Sequence, residues 1–170
     1  GTSSITVNWG AAGAGDVSVT ASHSTCVSAA PVNLPVAIGT GIISSTVSNS
    51  NTSLVFAGSS STEILQIQLD VGPSCGALTD FNLNTTGTPG SDDPLNDILD
   101  ARIYYTGTSS TFATSSTFGI LGTSPNGAFT ISGSQGLPAS STVYFWLTYD
   151  IDGGATEENL VDAQLVSMDI

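Results

Sequence analysis

The sequence has no lysine, and its one cation is Arg102. Fourteen carboxylates face that arginine, for a net charge of −13. Nothing is left to replace the counterions of a nucleic-acid backbone or an anionic lipid surface, so neither is expected as a partner. Without lysine no Lys–Asn isopeptide cross-link can form. Charge of either sign is sparse, at 9% of residues against roughly 25% in an average globular protein. Histidine is as scarce, with His23 alone. No reactive-serine motif sits beside a base, and no His/Cys metal spacing or phosphate loop is present. The expectation is a chain that is not an enzyme. No segment reads as a signal peptide, a lipidation motif or a membrane-spanning run, so no membrane insertion is expected. The opening Gly1-Thr2-Ser3-Ser4 reads as the start of a mature or excised piece.

Only two cysteines occur, Cys26 and Cys75. They fit one disulfide, with two buried thiols as the alternative and a reactive or metal-binding pair as the least supported reading. A bridge would close a loop of about 50 residues, which chain entropy values at about 4 kcal/mol, and it would imply an oxidising, extracellular compartment.

What is present is strand and turn chemistry. Ser, Thr and Asn supply the missing polarity, and 19 glycines supply turns. In Ile5-Thr6-Val7-Asn8-Trp9 and in Val17-Ser18-Val19-Thr20-Ala21, apolar and polar residues alternate. Joined by the glycine-rich 10–15, these segments read as a β-hairpin. Val32, Leu34, Val36 and Ile38 continue the period. Gly39-Thr40-Gly41 then punctuates the chain, which divides it into an incomplete segment, 1–38, and a module, 39–170.

The module alternates repeatedly. Leu65, Ile67, Leu69 and Val71 oppose Gln66, Gln68 and Asp70. Phe81 and Leu83 alternate with Asp80, Asn82 and Asn84. Ala101, Ile103 and Tyr105 form another face, as do Phe129 and Ile131. Val143, Phe145, Leu147 and Tyr149 alternate with Tyr144, Trp146 and Thr148, and Val161, Ala163 and Leu165 come last. Leu54-Val55-Phe56 is a short apolar run. One helical turn is expected within 94–99, capped by Asp92 or Asp93. Seven or eight strands make an all-β, antiparallel β-sandwich, immunoglobulin-like or jelly-roll, with an N-terminal hairpin extension. Residues 1–38, with about three strands, cannot close a sandwich alone.

Two stretches carry a resemblance. Gly1-Thr2-Ser3-Ser4-Ile5-Thr6-Val7-Asn8-Trp9-Gly10, with Gly15-Asp16-Val17-Ser18-Val19-Thr20-Ala21-Ser22, resembles the C-terminal half of PKD-like, immunoglobulin-like repeats of large secreted adhesins of gliding bacteria. Ala101-Arg102-Ile103-Tyr104-Tyr105-Thr106-Gly107-Thr108-Ser109-Ser110-Thr111-Phe112 resembles the N-terminal module associated with BNR-repeat neuraminidases, which also occurs inside adhesin arrays. Residues 81–87, 144–150 and 161–163 are similar to that module too. The resemblance implies β-sandwich modules at the cell surface. It does not carry neuraminidase activity over, because one arginine cannot make a three-arginine carboxylate clamp and no Asp-box is present.

Two acidic clusters stand out. Asp92, Asp93, Asp97 and Asp100 form one, and Asp150, Asp152, Glu157 and Glu158 the other. Paired carboxylates serve glycosidases, but oxygen-rich loops also suit Ca²⁺. A Ca²⁺ site is therefore expected at Asp92, Asp93, Asp97, Asp150 and Asp152, against the plainer reading of solvated acidic loops. Trp9, Tyr104, Tyr105, Tyr144 and Trp146 could stack on surface glycans or pack against a neighbouring module. Ile5, Val7 and Trp9 with Val17 and Val19 form an apolar face that a lone hairpin cannot hide, so they are expected to mediate assembly. The functional expectation is a structural subunit or repeat of an extracellular filament or cell-surface adhesin, joined head-to-tail by strand complementation. The alternative is a carbohydrate-binding accessory module of a secreted glycoside hydrolase.

Overall fold

A computed structural model describes residues 14–19, 22–23, 26–27, 32–37, 41–49, 53–87 and 90–170, the first four of these segments by backbone pairing only. The chain divides into two compact units, Gly1–Thr40 and Gly41–Ile170.

In the first unit β1 (Ala14–Val19) pairs antiparallel with β4 (Val32–Ala37), from Ala14 opposite Ala37 to Val19 opposite Val32. Between them β2 (Ser22–His23) and β3 (Cys26–Val27) form a minimal ladder. The expected hairpin partner of β1, residues 5–9, lies outside the described residues.

The second unit is an antiparallel sandwich of eight strands and one helical turn: β5 (Ile42–Ser48), β6 (Thr62–Val71), β7 (Ala77–Asn84), α1 (Pro94–Asp97), β8 (Ile98–Tyr105), β9 (Thr117–Ile120), β10 (Ala128–Gly136), β11 (Thr142–Ile151) and β12 (Gln164–Asp169). One sheet runs β5-β6-β11-β8-β9 and the other β10-β7-β12. The two-residue period decides which side of each strand is buried. Leu65, Ile67, Leu69 and Val71 of β6 and Val143, Phe145, Leu147, Tyr149 and Ile151 of β11 all lie in the core. Between the sheets Phe81 of β7, Phe118 of β9 and Phe145 of β11 meet edge-on, with ring centroids 5.1–5.6 Å apart, the geometry aromatic quadrupoles prefer.

The apolar run Leu54-Val55-Phe56 lies outside the strands: Leu54 is 87% and Phe56 73% exposed, and only Val55 packs on the core. The expected helical turn is present over 94–97, and Ile98 already has extended backbone and opens β8. One expectation needs correction. The expected Cys26–Cys75 disulfide is not found: among the described residues no cysteine pair stands at disulfide distance, and Cys75 is a free, half-buried thiol against the core of its own unit. Cys26 belongs to the other unit, and its side chain lies outside the described residues.

The sandwich has two unlike long sides. On one, β9 and β10 approach so closely that only glycine fits. A Cβ on Gly119 would collide with the Ser132 carbonyl oxygen, and one on Gly133 with the Phe118 carbonyl oxygen. On the other side three strands face five, and among the described residues no strand covers β5. Val47 of β5 stands opposite Ile67, and Ser45 opposite Leu69, so both share the core-facing side. Ile67 and Leu69 are fully buried, yet Val47 is 41% exposed and Ser45 is exposed.

Candidate interaction surfaces

The acidic loops meet at one end of the sandwich, where they hold the architecture. Asp97, 2% exposed, sits at the last position of α1. Its Oδ1 accepts from the Thr156 N–H (2.8 Å) and its Oδ2 from the Asn159 side-chain amide (2.7 Å). Its carbonyl accepts from the Asp152 N–H at 2.9 Å. Asp92 Oδ2 accepts from the Leu160 N–H and Asp152 Oδ1 from the Gly154 N–H. Asp93 takes the Asn96 amide on both oxygens. Asp150 accepts from the Ser61 N–H and pairs with the Arg102 guanidinium at 2.7 Å, and Asp100 holds the same arginine from the other side. The chain's only cation is thus shared between two carboxylates on neighbouring strands.

The loops do converge, but as donors and acceptors for one another. Among the described residues no three acidic, histidine or cysteine groups are placed to hold a metal ion. Carboxylates engaged in this way offer few free oxygens to a Ca²⁺ ion, which takes six to eight. EDTA in low-salt buffer should leave the melting temperature unchanged, and a fall of several degrees would argue for a specific ion.

Elsewhere hydroxyls stand where other proteins put lysines. Asp70 accepts from Ser44 (2.6 Å) and Thr142 (2.7 Å) across three strands. On the second sheet Asp80 accepts from Ser132 (2.6 Å), while Asn82 joins Thr130, Ser167 and Asp169. These bonds hold the Asp70 and Asp80 carboxyls below the usual range, through Ser44 and Ser132 first. Burial pushes Glu63 and Asp162 the other way. Both line a cleft of about 720 Å³ at the same end, beside Leu54, Phe56 and Leu160.

The two groups act in opposite pH windows. Glu63 and Asp162 favour the folded state when protonated. That contribution is complete below the unfolded values of about 4 and is lost as pH rises through their raised values. Asp70 and Asp80 contribute above about pH 4, and that is lost as pH falls through their lowered values. Acidification from neutral pH also relieves the net repulsion. The melting temperature should therefore rise as the pH is lowered from 7 toward the carboxylate range, and fall once the pH drops below about 4. A melting temperature that drops steadily from pH 7 to 5 would contradict this.

The aromatic residues are less available than their parity suggests. Tyr104 and Trp146 do lie on the outer face of their sheet, yet they are 6% and 3% exposed. The loop between β8 and β9 folds over them. Phe112 packs at 6.3 Å from the Tyr104 ring and 5.6 Å from Trp146. The Trp146 indole donates to Thr106 Oγ1 at 2.9 Å, and the Tyr104 and Ser61 hydroxyls share a 3.1 Å bond. Tyr105 faces inward against Phe145. Tyr144 is half-buried, and Trp9 lies outside the described residues. Phe112 is the residue sequence reading missed; an aromatic at the middle of a Ser/Thr loop was its only signal.

Of the assembly residues, Ile5, Val7 and Trp9 lie outside the described residues. Val17 stands opposite Leu34, and Val19 opposite Val32. The long exposed feature that the structure adds is β5, exposed from Ile43 to Ser48 and free of charge. Its edge is unpaired beyond β6 among the described residues. A comparison with family models and one with curated proteins each found no match to this chain.

Proposed function

We propose that the chain is a non-catalytic structural module of an extracellular filament or cell-surface adhesin, joined head-to-tail to its neighbours by addition of a β-strand. The observation that carries this reading is the uncovered side of β5. A neutral seven-residue edge strand with Val47 open on its core-facing side is the feature proteins normally block with charge, proline or a covering element. A strand added on this side of the sandwich would cover its apolar side and satisfy an open sheet edge. The acidic residues support a structural role, because their oxygens are spent on loops and strand ladders. The outer-face aromatics support it as well, because Phe112 occupies the place a sugar ring would take; a glycan array is expected to stay blank.

The segment 1–38 is the natural donor. Burying Ile5, Val7, Trp9, Val17 and Val19 would contribute roughly 1.5–3 kcal/mol each. Donor and acceptor on different surfaces make a heterologous contact, which propagates into a fibre unless it closes. The neighbour is either a separate subunit or the next repeat of one chain. Sedimentation velocity over a concentration series, with negative-stain imaging, tests the reading. Concentration-dependent linear oligomers are expected. A chain that stays monomeric throughout overturns it.

A further inference from the structure

Resting on that reading, we infer where the neighbour docks: residues 5–9 of a second copy enter as the fourth strand of the smaller sheet, beside β12 and across the open side of β5. The smaller sheet ends at β12, which pairs only with β7 among the described residues. Among the described residues these three strands leave β5 bare, and a fourth at β12 would lie over it. Adding the strand to β5 instead would extend the larger sheet, and the newcomer's own apolar side would face water. The β12 edge is the position where one added strand covers two surfaces at once.

The site has the matching chemistry. Its floor is Val47 with the half-buried Ile42, and its flank is Leu165 and Met168 of β12. Ile42–Ser48 carries no charge. The occupant needs one apolar and one neutral polar side, and Ile5, Val7 and Trp9 alternate with Thr6 and Asn8. Five residues span about 17 Å of strand, which suits the six-residue β12.

Charge selects the same pairing. Thirteen of the fourteen carboxylates lie at or beyond Glu63, and Asp16 is the only charged residue before it. Two copies of net charge −13 repel wherever their acidic parts meet. The first fifteen residues and β5 are neutral, so they can approach without that cost.

The test uses the full chain with one lesion in each half of the joint. Val47→Glu spoils the acceptor at a partly exposed position, and Val7→Glu spoils the donor. Ile5→Asp serves as a second donor lesion, and circular dichroism checks that each variant folds. Each variant alone should remain monomeric. Mixing Val47→Glu with Val7→Glu leaves one intact donor and one intact acceptor, so the mixture should form dimers and nothing larger. If Val47→Glu polymerises like the parent while Val7→Glu does not, this docking site is wrong and head-to-tail assembly stands. If the parent chain is monomeric at every concentration, including through docking of residues 5–9 on their own copy, the assembly reading itself fails.

Discussion

Gly119→Ala and Gly133→Ala should each lower the stability of the sandwich by at least about 2 kcal/mol, because no side chain fits where β9 crosses β10. The obstacle at each position is a backbone carbonyl: Ser132 for Gly119 and Phe118 for Gly133. A carbonyl cannot rotate away as a side chain can, so the strands must part. Parting them disturbs Phe118, whose ring sits 5.1 Å from Phe81 and 5.6 Å from Phe145. For a unit of this size the loss corresponds to a fall of roughly 8 °C in melting temperature. Gly136→Ala is the control, since a Cβ there meets nothing within 4 Å. Because both glycines serve one crossing, the double substitution should cost less than the sum of the two. Thermal melts of the four proteins decide the matter. A Gly133→Ala protein as stable as the Gly136→Ala control would show that the crossing has slack.

Asp97→Ala should cost about 3 kcal/mol, and the damage should stay at the cleft end of the sandwich. The substitution strands the Thr156 N–H and the Asn159 amide, both bound to this buried carboxylate. Hydrogen bonds to a charged group contribute about 1.5–3 kcal/mol each. Asp97→Asn should cost less. It keeps one acceptor for Thr156, and the Asn159 amide can turn over to offer its oxygen to the new donor. Hydrogen exchange should show the amides of residues 154–160 opening in Asp97→Ala while those of β11 stay protected. If Asp97→Ala instead melts as the parent does, the carboxylate does not hold this loop.

The strands that sequence made legible are those with both sides tested by burial. In β6 and β11 every second residue is a large apolar one, and the period alone located them. Two strands escaped. β5 has Ser45 in a core-facing position and Ile43 as the extra residue of a bulge, so its pattern is broken where the opposing sheet ends. β9 is four residues long and carries Gly119 for its neighbour's sake. Leu54-Val55-Phe56 was visible as an apolar run, but only Val55 reaches the core. The acidic loops were visible as clusters. Their purpose was not, because Asp97 acts on Thr156 and Asn159, some sixty residues along the chain, and no local pattern encodes that pairing. The aromatic outer face was read correctly from parity, but its cover was not, since Phe112 reaches back from a loop.

The hydroxyl ladders around Asp70 and Asp80 bear on the water this module can tolerate. Most acidic proteins balance their carboxylates with lysine and arginine, and added salt weakens those pairs while it weakens repulsion. Here the partners are dipoles in direct contact, bound over distances of 2.6–2.7 Å, well inside a Debye length of about 8 Å at physiological ionic strength. Salt therefore has much repulsion to screen and almost no attraction to lose. The surface is built like a brine-adapted one from neutral parts, and it should hold its shape from fresh water to seawater, firming as the salinity climbs.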